Sequence, residues 1–497
     1  MSDYIPLEVQ SEIIKRLPVK SLIQCRSVSK LWRSLIDSSK FINVHTQIHQ
    51  TQSQHHVFVR YKLGCVKKYI SIIDNDKFPQ KKFHLTAPLC VHLLSSGGSL
   101  LGSSNGLICF HGTYQDIGFK TDMVALWNPA IKKSVGIVIP NEFTAIGFGV
   151  CPDTSDPKIV KINTIDLPAV HWEVEVYSLS SRVWKSVSKG PAFKSCDLML
   201  DQVTIDGHIY WLAMDNNNLC DSLKTKFIIS YDLKSDKFGE VCFPDSLVQS
   251  DALMVSKVNE SLGVLEYHHN YDDEVCGVWV MDDDGVTKSL TKMFTVKVPG
   301  KLLYGNVLGL RENSEVMIEM LEDSGEEYEI EVYEPSSGRI NGIGISGKYG
   351  TFSVRSYRES LLLLDHTSSI IYRDGVRRSR YQDILDFLNV RKSVGIVVPN
   401  VVSMALGNSF VGFSVCADTS DIKIVKINVF ETPGVRWEVE LFTLSSRSWK
   451  RLSINPPFEL CHLTPKHIFI DGLIYWDGLH KPSLDDEPRL ITSFRLI

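Results

Sequence analysis

The sequence predicts an α+β multidomain chain: a small N-terminal three-helix module, an all-β propeller-like body and a partial duplicated β segment. Three observations predict it. Helical periodicity is confined to residues 1–44. Short alternating strands parted by glycine-containing turns then fill residues 57–372. Residues 391–497 repeat the middle of that body, residues 132–233, in truncated form.

Composition excludes several classes. Hydrophobic content of 43% and charged content of 22% are ordinary for a globular protein. A net charge of −5 on 497 residues gives no basic field, so no nucleic-acid partner is expected. No run of 18 apolar residues occurs, so no membrane partner is expected. The opening residues lack the apolar core of a secretory leader. The eleven cysteines are scattered, with no C-x-x-C pair, which excludes zinc-ribbon and thioredoxin spacings. They read as reduced core residues of a cytoplasmic or nuclear protein, or one of both compartments.

In the N-terminal module, Pro6 suits a first helical turn, where its missing N–H is not needed. Val9, Ile13, Ile14 and Leu17 follow at helical spacing, and Pro18 ends that helix. Residues 21–26 make a second helix. Ser29 caps a third, which carries Leu31, Trp32, Leu35 and Ile36. So small a unit needs a partner or an adjoining domain. Residues 5–8, 12–22 and 26–36, read together without gaps, resemble the F-box, with Ile5-Pro6 standing where the family opens Leu-Pro. The resemblance implies binding to a Skp-type adaptor, and through it to a cullin. By that analogy the adaptor-facing residues are Ile5, Pro6, Ile13, Leu17, Pro18, Leu22 and Trp32. Val28 and Ile36 are expected in the module's own core, whereas Ile5, Pro6 and Leu22 are expected at the interface.

Residues 45–56 read as a polar linker. The body beyond it has strands at 107–110, 123–127, 172–177, 209–212, 227–231, 278–281, 316–320 and 328–333. Asn105-Gly106, Asp206-Gly207, Asp284-Gly285 and Ser337-Gly338 mark turns between them. Residues 126–135, 177–184, 231–238 and 333–340 share one pattern: strand, small polar turn, then a basic and an apolar residue. The copies lie about fifty residues apart, or nearer a hundred where one is degenerate, which is the period of propeller blades. Residues 103–109, 126–129 and 278–281 resemble the F-box-associated, Kelch-like domain of plant F-box proteins.

Residues 373–390 form a second linker, in which Ile384, Leu385 and Leu388 read as a short helix. Beyond it, Cys416 to Trp476 aligns without gaps on Cys151 to Trp211, with 34 of 61 positions identical. This copy holds two blades' worth of chain. Three fates are open to it: edge-on packing, a small open sheet, or poor order.

Catalytic motifs are missing. Adjacent His268 and His269 on a strand would face opposite ways, so a hairpin loop is the plainer reading than a metal site. Residues 282–285 lack the alternate spacing of a calcium loop, and residues 97–102 lack the lysine of a P-loop. No cofactor and no catalytic residue are expected. Substrate contact is expected on the loops at 112–116, 215–219 and 268–273, with Tyr114, Asn217, His268 and Tyr271 as candidates. The tryptophans are expected in blade cores. Together these features predict a substrate-recognition subunit of a Skp–cullin–F-box ubiquitin ligase, with an unidentified protein substrate. The alternative is a non-productive F-box and propeller interaction module outside a ligase.

Overall fold

The computed structural model describes residues 5–372, except 53, 96–97, 117–118, 166–170, 188–195, 216–224, 249, 251, 270–273, 284–287, 299–305 and 322–326, together with strand segments inside 408–495. Two compact units divide the chain, residues 1–392 and 393–497.

The first unit opens with four helices: α1 (Leu7–Ile14), α2 (Val19–Cys25), α3 (Lys30–Ile36) and α4 (Ser39–Gln52). Pro6 and Pro18 precede α1 and α2 in extended conformations. The Ser29 hydroxyl accepts the Trp32 amide at 3.1 Å, the capping bond expected of it. Arg26 grips Asp37 with two bonds of 2.5 and 2.8 Å, tying the end of α2 to the end of α3.

The fourth helix corrects the linker reading. Residues 45–52 are helical, and residues 55–56 already belong to the first strand. Two buried polar residues explain why the run looked like linker. His45 is fully buried and its Nε2 lies 3.0 Å from the Leu17 carbonyl, while Thr46 is 3% exposed. Polar residues on a buried helical face do not register as apolar periodicity.

Six sheets of the first unit then form a ring. Their innermost strands are Ser353–Arg358, Ser99–Ser104, Ala145–Val150, Cys196–Ile205, Ala252–Val258 and Val307–Leu310, for blades one to six. Each touches the next, and the sixth touches the first. Blade one is completed across the chain: Ser353–Arg358 pairs antiparallel with His55–Leu63, which pairs with Val66–Ile73 and so to Lys82–Leu85. This non-local pairing closes the ring.

The repeated sequence pattern falls at one structural place, the hairpin joining the third and fourth strands of a blade. Lys132, Arg182, Asp236 and Gly338 occupy the same left-handed position there, with φ of 56°, 58°, 54° and 68°. Asn105-Gly106 and Asp206-Gly207 have φ of 47° and 84°, and 44° and 75°, the paired positive values of a type I′ turn. The Asp284-Gly285 turn lies outside the described residues.

The second unit reproduces blades three and four. Its sheets hold strands Asn408–Val415, Ile422–Phe430, Arg436–Thr443 and Ser448–Leu452, then Cys461–Ile470, Leu473–His480 and Arg489–Arg495. Register is kept pair for pair: Ala145 opposite Ile162 becomes Phe410 opposite Ile427, and the bulge between Leu198 and Gln202 returns between Leu463 and His467. A buried cross-strand ion pair is kept too, Lys161 with Glu175 in one copy and Lys426 with Glu440 in the other. The expected linker helix at 384–388 lies outside the described residues.

Candidate functional site

Two surfaces carry the functional argument, one on the helical module and one on the ring. Apolar side chains of the module divide sharply. Ile14, Val19, Leu22, Ile36, Phe41 and Ile42 are buried in a single cluster with propeller residues such as Leu107, Leu126 and Leu361. The module therefore has no separate core; it shares one with the ring. Ile5, Val9, Ile13, Val28 and Leu31 are left 50%, 48%, 53%, 68% and 49% exposed. They come from α1 and its lead-in, the approach to α3, and α3 itself. Trp32 Nε1 donates to Gln10 Oε1 at 2.8 Å and holds α1 beside α3. Five large apolar residues exposed on so small a module are more than a folded domain ordinarily leaves to solvent.

The expected adaptor-facing set is thereby sorted. Ile5, Pro6, Ile13 and Pro18 are exposed, and Leu17 and Trp32 are half-buried. Leu22 is a correction: it is fully buried, because the propeller covers that side of α2. Val28 is the opposite correction. It lies outside the core, at the exposed approach to α3, whereas Ile36 is in the core as expected. Val9 and Leu31, outside that expected set, are exposed as well. The i, i+4 spacing of Val9 and Ile13 was the available signal.

The seat of the module explains the Asn128-Pro129 motif. Buried Asn128 donates through Nδ2 to the carbonyls of Ser360 and Leu362, each at 2.9 Å. Lys133 Nζ adds bonds to the carbonyls of Leu364 and His366 at 3.1 and 2.5 Å. These bonds fix residues 360–366 against blade two, and Asp365 there accepts from Ser39 Oγ at 3.0 Å.

In each antiparallel blade, the first and third connections leave at one rim and the second at the other. The α4 helix reaches the first rim, where Gln47 Nε2 donates to the Asp153 carbonyl at 3.4 Å. A cleft of about 420 Å³ opens there on the ring axis, lined by Thr46, Asn105, Asp206, Glu260 and Arg358 among others. Its charges answer one another: Lys257 lies 2.6 Å from Glu260, and His55 2.8 Å from Glu312. Burial, then the Arg358 charge, push the His55 pKa down.

Among the described residues, the helical module makes none of its hydrogen bonds to the ring at the opposite rim. The strands Leu107–Asp116, His208–Asp215 and Ser261–His269 of blades two, four and five end at it, whereas residues 216–219 and 270–273 of the candidate loops lie outside the described residues. His268 ends the strand Ser261–His269 there and is exposed. Its Nε2 lies 3.1 Å from Oε1 of Glu266, a carboxylate 2% exposed. Burial by itself raises that carboxyl, but bonds from Ser250 Oγ at 2.6 Å and Trp279 Nε1 at 2.8 Å hold it below its ordinary value. Tyr114 is a correction. Residues 112–116 are strand rather than loop, and Tyr114 is 4% exposed in the core of blade two. Asn217 and Tyr271 lie outside the described residues. Among the described residues, no three His, Cys, Asp or Glu side chains gather as a metal site, and no helix is long and apolar enough to cross a membrane.

Comparison with known proteins accords with both parts. The F-box domain model matches residues 3–43, and the F-box associated beta propeller domain model matches residues 101–361, more than half the chain. This chain belongs to the plant F-box proteins with an F-box-associated propeller. Relatives come from Arabidopsis thaliana. An F-box/kelch-repeat protein is 26% identical over 362 residues, covering 68% of this chain and 89% of the relative. The F-box protein CPR1 is 24% identical over 327 residues, covering 59% of this chain and 73% of its own length. The helical module is thus the F-box, and F-box domains bind Skp-type adaptors.

Proposed function

We propose that this F-box protein is the substrate-recognition subunit of a Skp–cullin–F-box ubiquitin ligase in the cytoplasm, the nucleus or both. The F-box binds the adaptor, and the propeller binds a protein substrate. The observation that carries the reading is the split of the F-box: six of its apolar side chains are merged with the propeller core, and five are left exposed. Such a subunit needs no chemistry of its own. It raises the concentration of a substrate lysine beside a conjugating enzyme held elsewhere in the complex.

The test is capture of the purified full chain by immobilised adaptor. Ile13→Asp and Val9→Asp put charge on the exposed face and are expected to abolish capture with melting unchanged. Leu22→Asp buries a charge and is expected to unfold the F-box instead. Capture that survives both surface changes would sink the ligase reading and leave the alternative, an interaction module outside a ligase.

A further inference from the structure

The rim opposite the F-box carries an unneutralised basic tip on blade one. Strands His55–Leu63 and Val66–Ile73 meet there in a hairpin whose register sets Lys62 directly opposite Lys67, and Arg60 opposite Tyr69. Side chains alternate along a strand, so Arg60, Lys62 and Lys67 share one face of the sheet. Like charges placed directly across a ladder are destabilising. Lys68 adds a fourth cation, on the other face. Among the described residues, none of the four makes an ion pair with a carboxylate. Arg60 lies instead over the Phe110 ring at 5.8 Å. Further inward Arg355, paired in register with Phe58, feels the charge of Asp201.

The tip between these cations is apolar and open. Leu63 is 43% exposed and Val66 56%, and Tyr349 of the neighbouring connection is 54% exposed. That connection is anchored on the hairpin, the Lys348 amide donating to the Lys62 carbonyl at 2.9 Å. Burial, then Arg60 and Lys62, push the Lys67 ammonium down to about 8, in keeping with a group short of counter-charge.

We propose that the hairpin tip of blade one is a recognition site for an acidic segment of the substrate protein, its carboxylates meeting Arg60, Lys62 and Lys67 and an apolar residue meeting Leu63 and Val66. This rests on the substrate-receptor reading and names its substrate class. Charge complementarity selects the occupant. A polynucleotide is disfavoured, because four cations on a chain of net charge −5 do not make the extended basic stripe that a polyanion follows.

The experiment uses the full chain and fluorescence anisotropy with a labelled peptide of alternating Asp, Glu and Leu. Control arms are a Gln, Asn and Leu peptide of equal length, a phosphoserine peptide and a single-stranded oligonucleotide. The acidic peptide is expected to bind at least tenfold tighter than the neutral one, weakening as salt rises. Lys62→Glu with Lys67→Glu is expected to abolish binding while adaptor capture stays intact. Adaptor capture reads the ligase assignment independently, so the two failures are distinguishable. Equal binding of the neutral peptide, unchanged binding by the charge-reversed chain, or tighter binding of the phosphopeptide or the oligonucleotide would overturn the proposal. Lys62→Gln with Lys67→Gln, which removes the charges without reversing them, guards against a misfolded variant and is expected to lose most of the affinity.

Discussion

Replacing Gly147 by alanine probes the contact that orders blade three against blade four. A Cβ at Gly147 would fall 2.2 Å from Trp211 Cζ2 and 3.0 Å from Ile209 Cγ2. Carbon atoms pack at about 3.5–4.0 Å, so the indole would have to retreat by more than about 1 Å. It has no room to do so. Trp211 is fully buried, and its Nε1 donates to the Ile146 carbonyl at 3.2 Å. Overpacking costs about 1–3 kcal/mol, and loosening that bond adds about 1 kcal/mol. The sum is about 2–4 kcal/mol. For a domain of this size that lowers Tm by roughly 3–6 °C. Scanning fluorimetry of Gly147→Ala, Trp211→Phe and the double variant measures it. Phenylalanine makes room for the new methyl group, so the double variant should lose about 1 kcal/mol less than the two single losses combined. An unchanged Tm for Gly147→Ala, or strict additivity in the cycle, would refute the steric reasoning. Gly412 and Trp476 hold the same register positions in the second unit.

Three further outcomes are expected. Arg311→Leu leaves the buried Asp74 carboxylate without the guanidinium that now sits 2.7 Å away, and should cost about 3–5 kcal/mol, read as a fall in the urea midpoint. Burial, then His55, hold the His56 pKa at about 4 against an ordinary 6.5. Between those two pH values the unfolded chain binds a proton that the native state refuses, so stability falls as pH drops through the window. A profile of Tm against pH for His56→Asn should be flatter there than the parent's. Asn128→Ala strips a donor from the carbonyls of Ser360 and Leu362, and should cost about 2–3 kcal/mol while speeding proteolysis within residues 360–366.

The parts of the fold set by neighbouring residues were legible in the sequence. Asn105-Gly106 and Asp206-Gly207 announce their turns because few other pairs tolerate two positive φ values in succession. The recurring pattern at the third hairpin of blades two, three, four and six was legible for the same reason, and the interval nearer a hundred residues spans blade five, whose sequence lacks the pattern there. The blade number was not legible. Blade one is completed by Ser353–Arg358, a strand drawn from the far end of the body, and nothing local marks that pairing. The docking face was legible only as a list of apolar residues. Periodicity identified Leu22 and Val28 as apolar without telling which side of the module the propeller would cover. Tyr114 was misread because its glycine-containing neighbourhood resembles a turn, whereas the strand Leu107–Asp116 runs straight through it.

The helix found in place of the expected linker bears directly on how the proposed ligase would work. A flexible segment over residues 45–56 would let its ends wander by roughly 20 Å. Transfer by proximity would then depend on an average over many geometries. Instead α4 is fastened at its start to Asp365 through Ser39, then to Leu17 in the F-box through His45 and to Asp153 in blade three through Gln47. The shared core beneath it adds a cost to any hinge, because opening would expose Phe41, Ile42 and Leu361 together. The F-box face and the opposite rim are therefore held at a fixed distance and angle. In the proposed receptor, the search for a substrate lysine would not come from a hinge between F-box and propeller. The search must come from the substrate or from the rest of the complex, and an anchored acidic segment on an otherwise mobile substrate meets that need.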